Sequence, residues 1–290
     1  MIYILLSIVS SAYLIIAFKF FERFKINLFQ TIVMNYVTCV ITGCIVDRRI
    51  PDYLEWSGLP WFGNAAFLGC SFILFFNLMG HITTHQGVTV TSIANKLSLV
   101  IPVCVSFWLY DDTVTALKIS GIVLSLVAVV LSSIKDHGHQ SSFQLKLLFW
   151  PLVLFIGSGI NDSFVKYAQV NLLQQHEFNA YNTAIFSFAA TIGLLMLLYV
   201  ILVKKQEFQP KSILAGIILG VPNYFSIYFL LKTLQLPGWD SSIIFPINNI
   251  GVVAFSAIMA YILFKEQMSL LNKTGLALSV LAILIMAYAS

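Results

Sequence analysis

Long apolar stretches alternate with short polar breaks along the whole chain. Ten segments can be drawn from that pattern: roughly 2–20, 28–46, 59–80, 88–109, 115–133, 146–166, 179–202, 212–231, 240–263 and 270–288. Most approach the ~20 residues a helix needs to cross ~30 Å of hydrocarbon. Only helices and closed barrels satisfy their own backbone in lipid. A barrel strand would alternate polar and apolar positions, and runs such as Ile122 to Leu131 do not. The pattern therefore predicts an all-α integral membrane protein of ten transmembrane helices. The breaks carry turn chemistry: Asp47-Arg48-Arg49-Ile50-Pro51-Asp52 after the second segment, Gly87 after the third and Pro237-Gly238 after the eighth. The first segment lacks a basic leader and continues through Ile16, so it reads as a spanning helix rather than a cleaved signal.

The chain reads the same way twice. Lys19 is followed sixteen residues later by Asn35, and Lys166 sixteen residues later by Asn182. Ala65 and Gly69, four apart, are answered by Gly216 and Gly220; Asp112 lies nine residues before Gly121, and Glu266 nine before Gly275. The longest polar stretch, Ser132 to Gln144, falls near the midpoint, where a linker between repeats belongs. Two five-helix repeats, residues 1–138 and 145–290, follow from this spacing. An odd number of crossings per repeat turns the second upside down relative to the first. Inverted repeats of this kind hold their binding site near mid-membrane, at the repeat interface. Lys and Arg are commoner in the loops after odd-numbered segments, which favours both termini outside.

Composition narrows the class further. Apolar residues make up 59% of the chain and charged residues 10%, against roughly 25% charged in a soluble domain. No gap is long enough for a soluble domain, so any function lies within the bundle. The net charge of +4 is scattered, with no basic run suited to nucleic acid. Cys39, Cys44, Cys70 and Cys104 lie in apolar segments without a C-x-x-C pattern and read as free thiols. His81 and His85 have i, i+4 spacing but no intervening Glu of the H-E-x-x-H kind, so they read as interfacial histidines. No cofactor is implied. The expected partners are a small-molecule substrate and the lipid bilayer, with monomer or homodimer left open.

Ionisable side chains in a spanning helix are expensive, at roughly 2.5–3.5 kcal/mol each on an insertion scale, and so mark candidate sites. Lys96 lies mid-segment between Asn95 and Pro102. It faces either a wet cavity, where it would bind an anionic group, or an interface or carbonyl. Asp162 and Lys166 are one turn apart and share a helix face beside Asn161; an internal pair and a substrate role are both open. Lys19 has no acid four residues before it and is flanked by Phe18, Phe20 and Phe21, which suit an interface anchor. Asn35 and Asn182 occupy equivalent places, where interhelical hydrogen bonding is the alternative to substrate binding. Pro246 removes a backbone donor just before Asn248 and Asn249, and Pro222 does the same before Asn223 and Tyr224. A helix broken at Pro102 or Pro246 beside amides would expose binding groups or form a gate. Gly69 and Gly220 read as helix contact points. Asp112, Glu266 and Asp240 precede helices and read as caps.

Two stretches carry a family resemblance. One is Asn95-Lys96-Leu97-Ser98-Leu99-Val100-Ile101-Pro102, then Asp112, then Gly121-Ile122-Val123-Leu124; the other is Pro246-Ile247-Asn248-Asn249-Ile250-Gly251, then Glu266, then Gly275-Leu276-Ala277-Leu278. Each resembles the end of an EamA-type repeat of the drug/metabolite transporter superfamily, and the likeness extends over essentially the whole chain. Where that repeat carries Glu after its fourth helix, the first half here has Asp111-Asp112. The resemblance implies ten helices in two repeats and export or exchange of small molecules across a bacterial inner membrane. The excess of Lys over acid among the buried candidates favours an anionic or zwitterionic cargo. The alternatives are a drug or cation exporter of the same superfamily, a membrane-embedded transferase, and a channel. The expected class is a transporter and not an enzyme.

Overall fold

The computed structural model describes residues 2–48, 50–109, 115–134, 145–234 and 241–289. Among them every regular element is helical. In chain order these are α1 (Ile2–Arg23), α2 (Leu28–Asp47), α3 (Tyr53–Ser57), α4 (Phe62–Gln86), α5 (Val88–Leu97), α6 (Val100–Leu109), α7 (Ala116–Ser133), α8 (Leu145–Asn171), α9 (Phe178–Leu202), α10 (Lys211–Leu234), α11 (Ser241–Phe264) and α12 (Leu270–Ala289). Nine spans among the described residues are long and apolar enough to cross a membrane, with α5 and the start of α6 counting as one, Val88–Val105. In α12 the apolar stretch Leu270–Met286 is shorter. This is an all-α protein with the makings of a multi-pass membrane protein. Large apolar side chains stand exposed on these helices, for example Leu195, Leu198 and Tyr199 on α9. In water that surface would be costly; in lipid it is the expected outer face.

Helix ends follow local chemistry. Asn27 caps α2 by accepting from the Gln30 N–H, and Thr115 caps α7 by accepting from Lys118. Asp52 accepts from Leu54 and Glu55 and starts the short α3, which the apolar pattern had missed because five residues carry no periodicity. α4 extends to Gln86, beyond the expected end near residue 80, and Gly87 then reverses the chain with φ of 109°, a conformation that glycine tolerates. Asp112, Asp240 and residues 135–144 of the expected linker lie outside the described residues.

The chain folds into two compact units. The first comprises Met1–Lys19, Leu78–Ile160 and Phe225–Ser290; the second, Phe20–Asn77 and Asn161–Tyr224. Neither follows the sequence halves 1–138 and 145–290, since each unit draws segments from both. In the first unit the dominant pairing is α7 with α12. Its core joins Ile93, Leu97, Val100, Ala128, Val129, Phe155, Val253, Ala282, Ile283 and Met286. In the second, α2 packs with α9, and Trp56, Trp61, Leu68, Tyr181 and Ile185 belong to one of its apolar clusters.

Contacts between the halves are reciprocal. A Cβ at Gly121 would lie 2.7 Å from Met286 and 3.6 Å from the Ala282 carbonyl; one at Gly275 would lie 2.8 Å from the Ser132 nitrogen and 3.0 Å from the Ala128 carbonyl. The chain step from Gly121 to Gly275 is also the step from Ala128 to Ala282 and from Ser132 to Met286. In the second unit Gly69 of α4 abuts Ile185, Phe188 and Ala189 of α9, while Gly220 of α10 abuts Asn35 and Thr38 of α2. Small residues let these backbones approach, as the spacing predicts.

Candidate functional site

The first unit contains a helix interrupted within the apolar stretch. α5 ends at Leu97 and α6 begins at Val100. Pro102 and Ser98 both lie there. Pro102 has no N–H and its ring crowds the carbonyl of Ser98, four residues earlier; that carbonyl is instead taken by Ile101 N–H at 2.9 Å. Ser98 Oγ also donates to the Asn95 carbonyl at 2.5 Å, a local bond that competes with the helix ladder. Pro151, Pro222 and Pro246 lie inside helices that stay continuous. The break expected at Pro246 is therefore not present: α11 runs through it. Proline alone is insufficient.

Polar side chains gather around this interruption. Asn95 donates from Nδ2 to Ser158 Oγ of α8 at 3.0 Å. Ser92 and Ser256 share a buried hydrogen bond of 2.5 Å, which ties α5 to α11. Val88 N–H donates to Glu266 at the far end of α11. The two contacts fix α5 and α11 as antiparallel, so the break after Leu97 runs toward the Asn248–Asn249 end of α11. Asn248 and Asn249 are both buried, and Asn248 Oδ1 has no hydrogen-bond partner. Lys96 is half-buried at the edge of the break. A cation, an uncommitted amide oxygen and an interrupted helix thus belong to one unit, and they suit a ligand carrying both an acidic group and donors.

Lys19 has a definite partner. Its Nζ donates to the Thr84 carbonyl at 3.0 Å, in the last turn of α4, where unpaired carbonyls and the helix dipole favour a cation. Glu266 also acts as a cap, though not of the helix that follows it. It accepts from Val88 at the start of α5, where Gly87 has no side chain to offer. The α12 start is capped by Ser269 and Asn272 instead, through Ser269 N–H to Asn272 Oδ1 and Asn272 N–H to Ser269 Oγ. Sequence order could not reveal this exchange, because the acceptor and the helix it serves are far apart in the chain.

The second unit holds the other candidates. Asn223 Nδ2 of α10 donates to Asn35 Oδ1 of α2 at 3.2 Å, and both residues are buried. Asn35 Nδ2 and Thr183 Oγ1 are buried without partners. Tyr224 and Tyr36 are fully buried on either side of Phe186, with ring centroids 6.4 and 6.1 Å from it. Asn182 is buried on α9. Asn161 is buried on α8 and accepts from Ser71 at 2.5 Å, whereas Asp162 and Lys166 beyond it are exposed. Tyr36, Ser71 and Thr183 had no signal in the sequence, since such residues are ordinary in apolar helices. The four cysteines are free, and the described residues contain no cluster of three metal-ligating side chains.

No family model matches the sequence. An uncharacterized protein of Haemophilus influenzae is 27% identical over 293 aligned positions, covering 98% of this chain and 97% of its own. A solved crystal structure of a protein aligns with a TM-score of 0.60 at 12% identity, over 98% of this chain and 94% of that one. At that identity the likeness is one of fold alone.

Proposed function

We propose that this chain is a secondary transporter of a small anionic or zwitterionic metabolite, of the EamA type in the drug/metabolite transporter superfamily. It works by alternating access in a bacterial inner membrane. The observation that carries this reading is the α5–α6 interruption within an apolar stretch, with half-buried Lys96 at its edge and the unpartnered Asn248 oxygen on the antiparallel α11. Discontinuous helices with exposed backbone and amides are how secondary transporters make binding sites in lipid. The reciprocal Gly121 and Gly275 contacts support ten crossings built as two inverted five-helix repeats.

Counterflow in liposomes tests the reading. Purified protein is loaded with amino acids, nucleotides, sugar phosphates or quaternary ammonium compounds in separate preparations. Saturable exchange of an acidic or zwitterionic solute is expected. Lys96→Ala should weaken its affinity roughly tenfold, about 1.4 kcal/mol. Movement of quaternary ammonium compounds alone, or single-channel currents, overturns the proposal.

A further inference from the structure

A second polar site lies elsewhere in the first unit. A cavity of about 220 Å³ opens where α4 ends, α5 begins, α7 ends and the chain turns from α11 into α12. Its walls include Gln86, Thr89, Ser133, Glu266, Ser269 and Asn272 and, among the described residues, no Lys or Arg. Several of these groups are already engaged. Asn272 Nδ2 donates to the carbonyls of Leu131, Ser132 and Ile134, and Ser133 Oγ donates to Val129. Others are not: Gln86 Oε1 and Thr89 Oγ1 have no partner, and Thr89 is 3% exposed. The Glu266 carboxylate accepts from Val88 N–H at 3.2 Å and keeps further lone pairs.

The groups left over favour a cation. The helix ends here are largely satisfied: Lys19 Nζ takes the Thr84 carbonyl in the last turn of α4, Asn272 Nδ2 takes the last carbonyls of α7, Glu266 accepts from Val88 at the start of α5, and Ser269 with Asn272 caps α12. What remains is the rest of the Glu266 carboxylate, with the unpartnered Gln86 and Thr89 oxygens in the same lining. The volume is too large for a bare metal ion, which needs about six oxygens at roughly 2.0–2.6 Å. A primary ammonium brings three N–H donors, to set against the Glu266 carboxylate, the Gln86 amide oxygen and the Thr89 hydroxyl.

We propose that this cavity binds a primary ammonium group on a small organic body, with Glu266 as its counter-ion. The cavity lies at the ends of spanning helices, so the ammonium could belong to a phosphatidylethanolamine headgroup or to a soluble amine. Thermal unfolding of the full chain in phosphatidylcholine nanodiscs separates the cases. Methylammonium or ethanolamine should raise the melting temperature by about 3 °C, and tetramethylammonium at equal ionic strength should not. Replacing the lipid with phosphatidylethanolamine gives the same rise without added amine if the headgroup is the ligand, and no rise if the ligand is soluble. Glu266→Gln, which keeps an acceptor for Val88 N–H, should abolish the response. Thr89→Val should reduce it in a chain that still folds. No rise with any primary amine or with phosphatidylethanolamine overturns the proposal, as does an undiminished rise in Glu266→Gln.

Discussion

Two helix pairs in the first unit join the same two halves of the chain and do opposite things. The α7–α12 pair is close-packed. Gly121, Ala128, Gly275 and Ala282 bring the backbones together among mainly apolar side chains, with Asn272 donating to the Leu131 and Ser132 carbonyls at one end. The α5–α11 pair is polar, with a Ser92–Ser256 bond, an interrupted helix, half-buried Lys96 and an unpartnered Asn248 oxygen. In lipid, tight packing of small residues is the main source of helix association, and polar groups add little unless function requires them. The first pair therefore holds the unit together and the second is where it can bind or move.

The largest expected effect breaks the close-packed pair. A side chain at Gly275 meets backbone, the Ser132 nitrogen and the Ala128 carbonyl, which cannot swing aside. Gly275→Leu should lower stability by about 3 kcal/mol, read from the SDS-unfolding midpoint in detergent micelles. At Gly121 the nearest atom is Cγ of Met286, the flexible part of a side chain. Gly121→Ala should accordingly cost less than Gly275→Ala, although the two contacts are reciprocal. Equal losses would mean that the contact is softer than the reciprocal geometry implies.

Next comes Gly87. Its φ of 109° and the Glu266 carboxylate against it leave no room for a methyl group. Gly87→Ala should cost about 2 kcal/mol of stability through backbone strain and displacement of the α5 cap, by the same unfolding assay. A loss no larger than that of an ordinary surface substitution would indicate that Glu266 does not fix this end of α5.

Much of the architecture was legible in the apolar pattern. The segments 28–46, 115–133 and 179–202 lie within a residue or so of α2, α7 and α9, because helices in lipid are bounded by the same turn and cap residues that punctuate the sequence. Two features were hidden. α3 is too short to carry periodicity, and the two compact units cut across the sequence halves, which spacing along one chain cannot express. The candidate residues show the same division. Lys96 and Asn95 could be read from their cost in an apolar segment. The interruption beside them does not follow from proline alone, since Pro246, which looked equivalent, sits in a continuous helix.

Pro102→Ala sharpens the polar side of the comparison. It restores an N–H that can reach the Ser98 carbonyl and removes the ring that crowds it. The interruption should partly close, raising stability by about 1 kcal/mol while slowing counterflow of the cargo identified in liposomes. Retained transport in a stabilised Pro102→Ala protein would separate the break from the transport cycle.

The smallest effect concerns Ser92 and Ser256. Their hydroxyls are fully buried and bonded to each other at 2.5 Å, and Ser256 also reaches the Val253 carbonyl at 3.1 Å. Burial suggests a strong link, yet a serine released from its partner in lipid can turn back to its own helix carbonyls. Interhelical polar bonds in membranes therefore average only about 0.6 kcal/mol. A double-mutant cycle of Ser92→Ala and Ser256→Ala should give a coupling of about that size, well below the loss from Gly275→Leu. A coupling above about 2 kcal/mol, the size of the loss expected for Gly87→Ala, would invert the comparison, making the polar pair a principal source of cohesion rather than the part free to rearrange.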